Sequence, residues 1–340
     1  MSPEDGWLPG AFNQGWTYRD RIDAASAGLG LVEYYSRRHR HSGPAIWRQR
    51  LENGEIRCNG ELVRQERHLR AGDRLLWRRP PWWEGPVPAA LPCLCDDGDL
   101  LVLAKPSGLP VLPAGGWVEH TVLRRLEQRH RDDPAGIPRP VHRLGRFTSG
   151  LLACARQPAS RAWLSAQLRD STAQLRAPER PSPEDGALAG APAGGTRKVY
   201  RALLPAGVLD LVPGACRSIV VPIGRHRHPQ LGQVWAAGGE GALPACSRLT
   251  LLEARTDGDL VEVMIESGRP HQIRIHCAAL GAPLLGDPLY RPGGLPNPAA
   301  LPGDGGYLLH ALALRLRRPD GGVLDLWAPP PPLLQRRGHA

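Results

Sequence analysis

Val141-His142-Arg143-Leu144-Gly145-Arg146-Phe147-Thr148-Ser149-Gly150-Leu151-Leu152 is the stretch on which the reading of this 340-residue chain turns. His142, Arg143 and Arg146 crowd a loop that closes in the Thr148-Ser149-Gly150 turn. The apolar run Leu151-Leu152-Ala153-Cys154-Ala155 behind it reads as a short central strand. At the middle of these chemically equipped side chains stands Gly145, which offers only backbone.

Further blocks follow the same logic of an apolar strand ending in punctuated, polar sequence. Asp99 to Pro110 is a strand that stops at Lys105-Pro106-Ser107-Gly108. Arg197-Lys198-Val199-Tyr200-Arg201-Ala202-Leu203 is another strand. The longest block, Ser267-Gly268-Arg269-Pro270-His271-Gln272-Ile273-Arg274-Ile275-His276, continues to Leu284-Leu285-Gly286-Asp287-Pro288-Leu289-Tyr290, and Leu309-His310-Ala311 lies near the C-terminus. Together and in this order the blocks resemble the RluA-type RNA pseudouridine synthases, over roughly Leu91 to Trp327. In that family the loop reads His-Arg-Leu-Asp-Arg-x-Thr-Ser-Gly-Leu-Leu, so Gly145 stands where the family has its catalytic Asp.

The resemblance implies an α+β fold with a mixed, largely antiparallel sheet, and the isomerisation of uridine to pseudouridine in structured RNA, ribosomal or transfer. In that reaction the N-glycosidic bond breaks, the uracil turns, and a carbon–carbon bond forms to the same sugar, with no cofactor and no metal. It also implies roles. Arg274 would pair with the catalytic carboxylate, Tyr200 would lie against the flipped base and supply a hydroxyl for proton transfer, and Arg143 would fill the vacated place in the RNA stack. Arg146 would hold phosphate, and His142, Thr148, Lys198, His271 and Gln272 would complete the substrate site. A carboxylate can attack or stabilise an electron-poor sugar carbon and glycine cannot. Arg274 therefore lacks its expected partner, for which Asp287 is the nearest candidate in motif terms, although that residue has its own structural duty. The alternative, from a different class, is a catalytically retired RNA-binding or RNA-assembly protein on the same fold. The survival of Tyr200, Arg274 and His142 around the glycine favours the enzyme.

Composition is compatible with this reading and could not have produced it. The 43 Lys and Arg against 33 Asp and Glu give a net charge of +10, which suits a polyanionic partner. The seven cysteines are an odd, scattered number, against a secreted disulfide framework. Cys93-Leu94-Cys95 lacks a second pair at zinc-ligand spacing. His39-Arg40-His41 and His226-Arg227-His228 read as basic surface. No apolar stretch approaches membrane-spanning length and the N-terminus has no signal-peptide pattern, so the expectation is a cytoplasmic monomer with RNA as partner and no membrane.

The chain divides by texture into an N-terminal extension, 1–29; a basic segment, 30–80; a Pro/Trp-rich linker, 81–90; the large domain, 91–327, with an Ala/Pro/Gly-rich surface insertion at 176–195; and a disordered tail, 328–340. Between Tyr35 and Pro80 there are twelve arginines against five acidic residues. A short helix over Ile46 to Leu51, two strands joined at Asn59-Gly60, and a turn and strand at Ala71 to Trp77 resemble an S4 RNA-binding module, which implies RNA contact by Arg48, Arg50, Arg57 and Arg64. In the large domain, Asp259 to Glu266 alternates as a half-buried antiparallel strand. A helix is expected from Pro270 to a stop at Gly281, with His271 and Arg274 on one face near its N-terminus. Another is expected from Gln157 to Leu168, with Trp163 in the core.

Overall fold

The computed structural model describes residues 6–39, 42–170, 196–265, 267–301, 304–317 and 321–337, so the insertion expected at 176–195 lies outside the described residues. The chain divides into two compact units, one of Pro9–Pro86 with Pro229–Gly232 and one of the remainder.

In the smaller unit, β1 (Trp16–Arg21), β2 (Ile56–Cys58), β3 (Glu61–Leu62) and β4 (Arg74–Arg79) form a four-stranded antiparallel sheet in the order β1-β4-β2-β3, with α1 (Leu31–Arg38) and α2 (Pro44–Glu52) between β1 and β2 in sequence. Aromatic rings make its core: Tyr35 stacks on Trp47 at 4.6 Å, and Trp47 meets Trp77 edge-on at 4.6 Å. Asn59 and Gly60 both have positive φ, 53° and 90°, the backbone that a two-residue hairpin loop requires, and Cys58 duly pairs with Glu61. The unit extends beyond the expected segment, because Trp16 to Arg21, in the N-terminal extension, pairs along the whole of β4. The Pro/Trp stretch is not an unpaired linker either. Trp83–Glu84 pairs with Ala11–Phe12, and in the larger unit Val87–Pro88 pairs with Trp7–Leu8. Ladders of two residues need so few amide donors that the prolines do not forbid them.

The larger unit is built on a ten-stranded sheet. Its main path runs β9-β10-β11-β8-β12-β7-β6-β5, where β5 is Cys93–Asp96, β6 Leu100–Lys105, β7 Thr148–Ala155, β8 Arg197–Leu204, β9 Cys216–Val220, β10 Cys246–Glu253, β11 Asp259–Ile265 and β12 Leu309–Arg317. Only β7 and β12 run parallel on this path, in the register Thr148↔Leu309 to Gly150↔Ala311; the fold is the expected α+β class with a mixed, largely antiparallel sheet. One core joins Leu101 to Leu103 and Leu151 to Ala155 to α3 (Val122–Arg129) and to Leu164 and Leu168 of α4 (Pro158–Asp170). A second joins Leu249, Leu251, Val261, Val263 and Ile265 to Ile273 and Cys277 of α5 (Gln272–Ala279). Tyr200 packs against both.

Four local expectations are corrected. Helix α5 starts at Gln272, because His271 is its N-cap in the left-handed region at φ 57°; Gly281 does end it, at φ 86°. Trp163 is 44% exposed, its indole N–H donating to the Arg317 carbonyl at 3.3 Å; the core face of α4 carries leucines instead. His228 is buried with Nε2 against the Asn297 carbonyl at 2.8 Å, so His226-Arg227-His228 is not wholly surface. The tail docks as far as it is described: Leu334 is buried, and Arg255, anchored on Glu253, donates to the Leu333 carbonyl at 3.1 Å.

Candidate active site

A cavity of about 450 Å³ opens on the larger unit, within the range of roughly 300–1,000 Å³ usual for small-molecule sites. Five segments remote in sequence wall it, one of them α4 through Ser165 and Leu168. The loop from Val141 brings His142, Arg143, Gly145 and Thr148; β8 brings Lys198 and Tyr200; the approach to α5 brings His271, Gln272 and Arg274; and the entry to β12 brings Tyr307. Nine of the ten residues expected at the site thus line one cavity. Arg146 does not. Its guanidinium lies over the Trp117 ring at 4.3 Å and the Phe147 ring at 4.9 Å, and Nε donates to the Gly108 carbonyl at 3.0 Å, so this cation braces the Lys105-Pro106-Ser107-Gly108 turn.

Arg274 has found the other partner. Nε and Nη2 each donate to an Asp287 carboxylate oxygen at 2.7 Å, a bidentate pair with the acid's side chain fully buried. Asp287 Oδ1 also accepts the Leu289 amide at 2.9 Å, so the acid fixes the Gly286-Asp287-Pro288 corner and the arginine together. The guanidinium carbon sits 4.2 Å from the centre of the Tyr307 ring and 5.0 Å from that of Tyr290, a cation–π arrangement.

Gly145 is not conformationally required, since its φ is not positive. It is sterically required. A Cβ there would overlap the Tyr307 hydroxyl and stand 3.3 Å from Thr148 Oγ1. Tyr307 is 5% exposed, and its hydroxyl shares a hydrogen bond with Thr148 Oγ1 at 3.3 Å. The loop and the Tyr307 segment interlock through other glycines: a side chain on Gly305 would run into the Phe147 ring, and one on Gly286 would reach the Gly306 carbonyl oxygen at 2.7 Å. Tyr307 escaped the sequence reading although it stands two residues before the Leu309-His310-Ala311 block.

The remaining polar groups are held by protein partners, and burial disfavours their charged forms. His142 Nε2 accepts the Ala153 amide at 3.0 Å, and burial, helped by Lys198, lowers its pKa to about 4. His271 Nδ1 lies 2.8 Å from the Tyr290 hydroxyl, which itself donates to the Trp235 carbonyl at 2.7 Å; the imidazole is therefore the donor to Tyr290, and burial lowers its pKa to about 3. Gln272 orders the block before α5: Oε1 accepts from Ser267 Oγ at 2.7 Å and the Arg269 amide at 3.1 Å, and Nε2 donates to the Cys246 carbonyl at 2.8 Å. Burial pushes the Tyr200 phenol up to about 12, so it is protonated at neutral pH. Lys198 Nζ donates to the Leu168 carbonyl at 2.6 Å, and burial lowers its pKa to about 8. Lys105, unassigned by the sequence reading, is 1% exposed and donates to three carbonyls, Pro106 and Leu109 at 2.8 Å and Arg146 at 3.0 Å. That ammonium ties the Lys-Pro turn to the signature loop, and burial draws its pKa down to about 7.

In the smaller unit Arg48 and Arg64 are exposed, and Arg57 donates to the Gly60 carbonyl at 2.9 Å. Arg50 differs, with its guanidinium over Trp47 at 4.3 Å and Trp77 at 4.7 Å; it is part of the aromatic core.

A family model described as RNA pseudouridylate synthase matches residues 99–279. An uncharacterized RNA pseudouridine synthase of Synechocystis sp. is 40% identical over 308 residues, 89% of this chain and 95% of that protein. RNA pseudouridine synthase 5 of Arabidopsis thaliana is 36% identical over 364 aligned residues, 96% of this chain and 95% of that protein. Among solved structures, Human RNA Pseudouridylate Synthase Domain Containing 1 aligns with a TM-score of 0.49 at 22% identity, covering 72% of this chain and 86% of the other.

Proposed function

The chain belongs to the RNA pseudouridylate synthase family, and from that premise we propose that it converts uridine to pseudouridine in structured RNA, ribosomal or transfer, as a cytoplasmic monomer. The observation that carries the reading is the convergence of Gly145, Tyr200 and Arg274 on one cavity of nucleoside-sized volume. A uridine must leave its stack to enter such a site. Tyr200 offers the base a neutral aromatic face, and the exposed Arg143 at the cavity wall is placed to fill the gap in the RNA. Arg274, neutralised by Asp287, acts on the site chiefly by holding Tyr307 and the Asp287 corner. Among the described residues no helix is long and apolar enough to cross a membrane. Activity is read as tritium released from RNA labelled at uridine C5, because a bond from C5 to the sugar expels the C5 hydrogen. Release by the wild-type protein is the expected result, and tight RNA binding without release would favour the retired-site alternative.

We read the smaller unit as an S4-type RNA-binding module, supported by its helix pair followed by a hairpin and by the exposed Arg48 and Arg64. Replacing Arg48, Arg57 and Arg64 together with alanine should weaken RNA binding and flatten its dependence on salt. The logarithmic slope should fall by about 2, at roughly 0.7–0.9 per phosphate contact. Arg50→Ala should instead cost stability. A triple variant with the wild-type salt slope would mean that these arginines do not touch phosphate.

A further inference from the structure

Resting on the synthase reading, we propose that the phenol of Tyr307 does in this chain the work of the carboxylate that the signature loop lacks. No Asp, Glu or Cys lines the cavity among the described residues, and the buried Asp287 is committed to Arg274 by both oxygens. Of the other nucleophilic groups on its wall, Ser165 donates to the Val141 carbonyl at 3.0 Å and Lys198 to the Leu168 carbonyl. Tyr307 stands apart because its hydroxyl occupies the space that the first carbon of any side chain at position 145 would need. The reactive oxygen has thus been moved from the loop to the facing segment without leaving the place. Its neighbours suit it: Thr148 Oγ1 is a hydrogen-bond partner at 3.3 Å, and the Arg274 guanidinium lies over the ring and holds it in place. The glycine at 145 is what allows the hydroxyl to be there.

The chemistry balances without a co-reactant. Tyr307 Oη forms a bond to the sugar C1′ as the N1–C1′ bond breaks; the electron pair of that bond leaves with the uracil, and the phenolic proton passes to uracil O2. The neutral uracil turns, and its C5 gives an electron pair to C1′ as the C1′–Oη bond breaks with its pair returning to oxygen. The C5 proton then restores the phenol, through solvent, and the proton on O2 relocates to N1. A tyrosine nucleophile at a sugar carbon has precedent among glycosidases.

Three variants test this on wild-type-length protein with transcripts of ribosomal and transfer RNA labelled at uridine C5. Tyr307→Phe keeps the ring, its packing on Phe147 and its contact with Arg274. It should bind RNA as the wild type does, melt within a few degrees of it, and release tritium at least about 100-fold more slowly. Gly145→Asp alone should lose tritium release, because its side chain and the Tyr307 hydroxyl claim the same space. Gly145→Asp/Tyr307→Phe removes the overlap and puts a carboxylate in the same place, and it should recover release at least about tenfold over Tyr307→Phe. A Tyr307→Phe protein that releases tritium within about threefold of the wild-type rate overturns the inference and leaves the synthase reading standing. A silent wild type overturns the synthase reading, and the inference falls with it.

Discussion

Asp287→Ala should cost the larger unit about 3–5 kcal/mol, because it strands a buried arginine. Arg274 loses both 2.7 Å hydrogen bonds at once, and the Leu289 amide loses its acceptor. A domain is commonly stable by only about 5–15 kcal/mol, so the loss should appear as a large drop in the urea midpoint and in soluble yield. Asp287→Asn keeps the shape and one acceptor oxygen and should fall between. The paired replacement Arg274→Met/Asp287→Leu should recover most of the loss, since exchanging both ions for apolar groups removes the stranded charge. An Asp287→Ala protein with the wild-type midpoint would mean that the pair carries no weight in the fold, and that Arg274 is held by its aromatic neighbours alone.

Gly150→Ala should be comparably damaging, by about 3 kcal/mol or more, for a reason of backbone rather than charge. Gly150 has φ 100° and lies in β7 opposite Ala311 of β12. A methyl group there would overlap the Ala311 carbonyl oxygen and stand 2.8 Å from its carbon and nitrogen. Neither strand can yield: β7 is also paired through Lys105 to β6, and β12 through Tyr200 to β8. Because this parallel pair carries Thr148 and is entered from Tyr307 at the same end, forcing it apart should also open the Thr148–Tyr307 contact. Chemical denaturation of the single variant decides it, and a midpoint unchanged within error would show that the strands tolerate the separation.

What could be read in the sequence was whatever sits in contiguous blocks. The loop around Gly145, the Lys-x-Tyr strand and the Arg-Pro-His-Gln-Ile-Arg block each declare themselves locally, and nine of the ten residues read from them line one cavity. The strand at Asp259 to Ile265 was legible because alternation is a local signal. Contacts between segments were not. Tyr307 lies in a glycine-rich run with no periodicity, and its relation to Gly145 exists only once β7 and β12 are side by side. Arg146 looked like a phosphate ligand because an arginine in a polar loop has no sequence feature announcing that Trp117 lies beneath it. The tail looked disordered because prolines and arginines mask its one informative residue, Leu334.

One signal was present and went unread. Of 43 basic residues only Lys105 and Lys198 are lysines, and both are buried, with their ammonium groups against backbone carbonyls. A guanidinium is planar, larger, and charged at all working pH, whereas an ammonium is a compact group whose three donors can meet three carbonyls. In a chain that otherwise uses arginine throughout, the two exceptions both fall where a buried ammonium meets backbone carbonyls. Lys105 lies beneath the loop and Lys198 lines the cavity.

The most direct test is to incubate unmodified ribosomal and transfer RNA transcripts with the wild-type protein, digest the RNA to nucleosides, and measure pseudouridine by chromatography. Pseudouridine should accumulate to a fixed, small number per RNA molecule, in step with tritium release, with no metal or cofactor added. RNA that is bound tightly yet returns only uridine would contradict the enzyme and identify the cavity as a binding site alone.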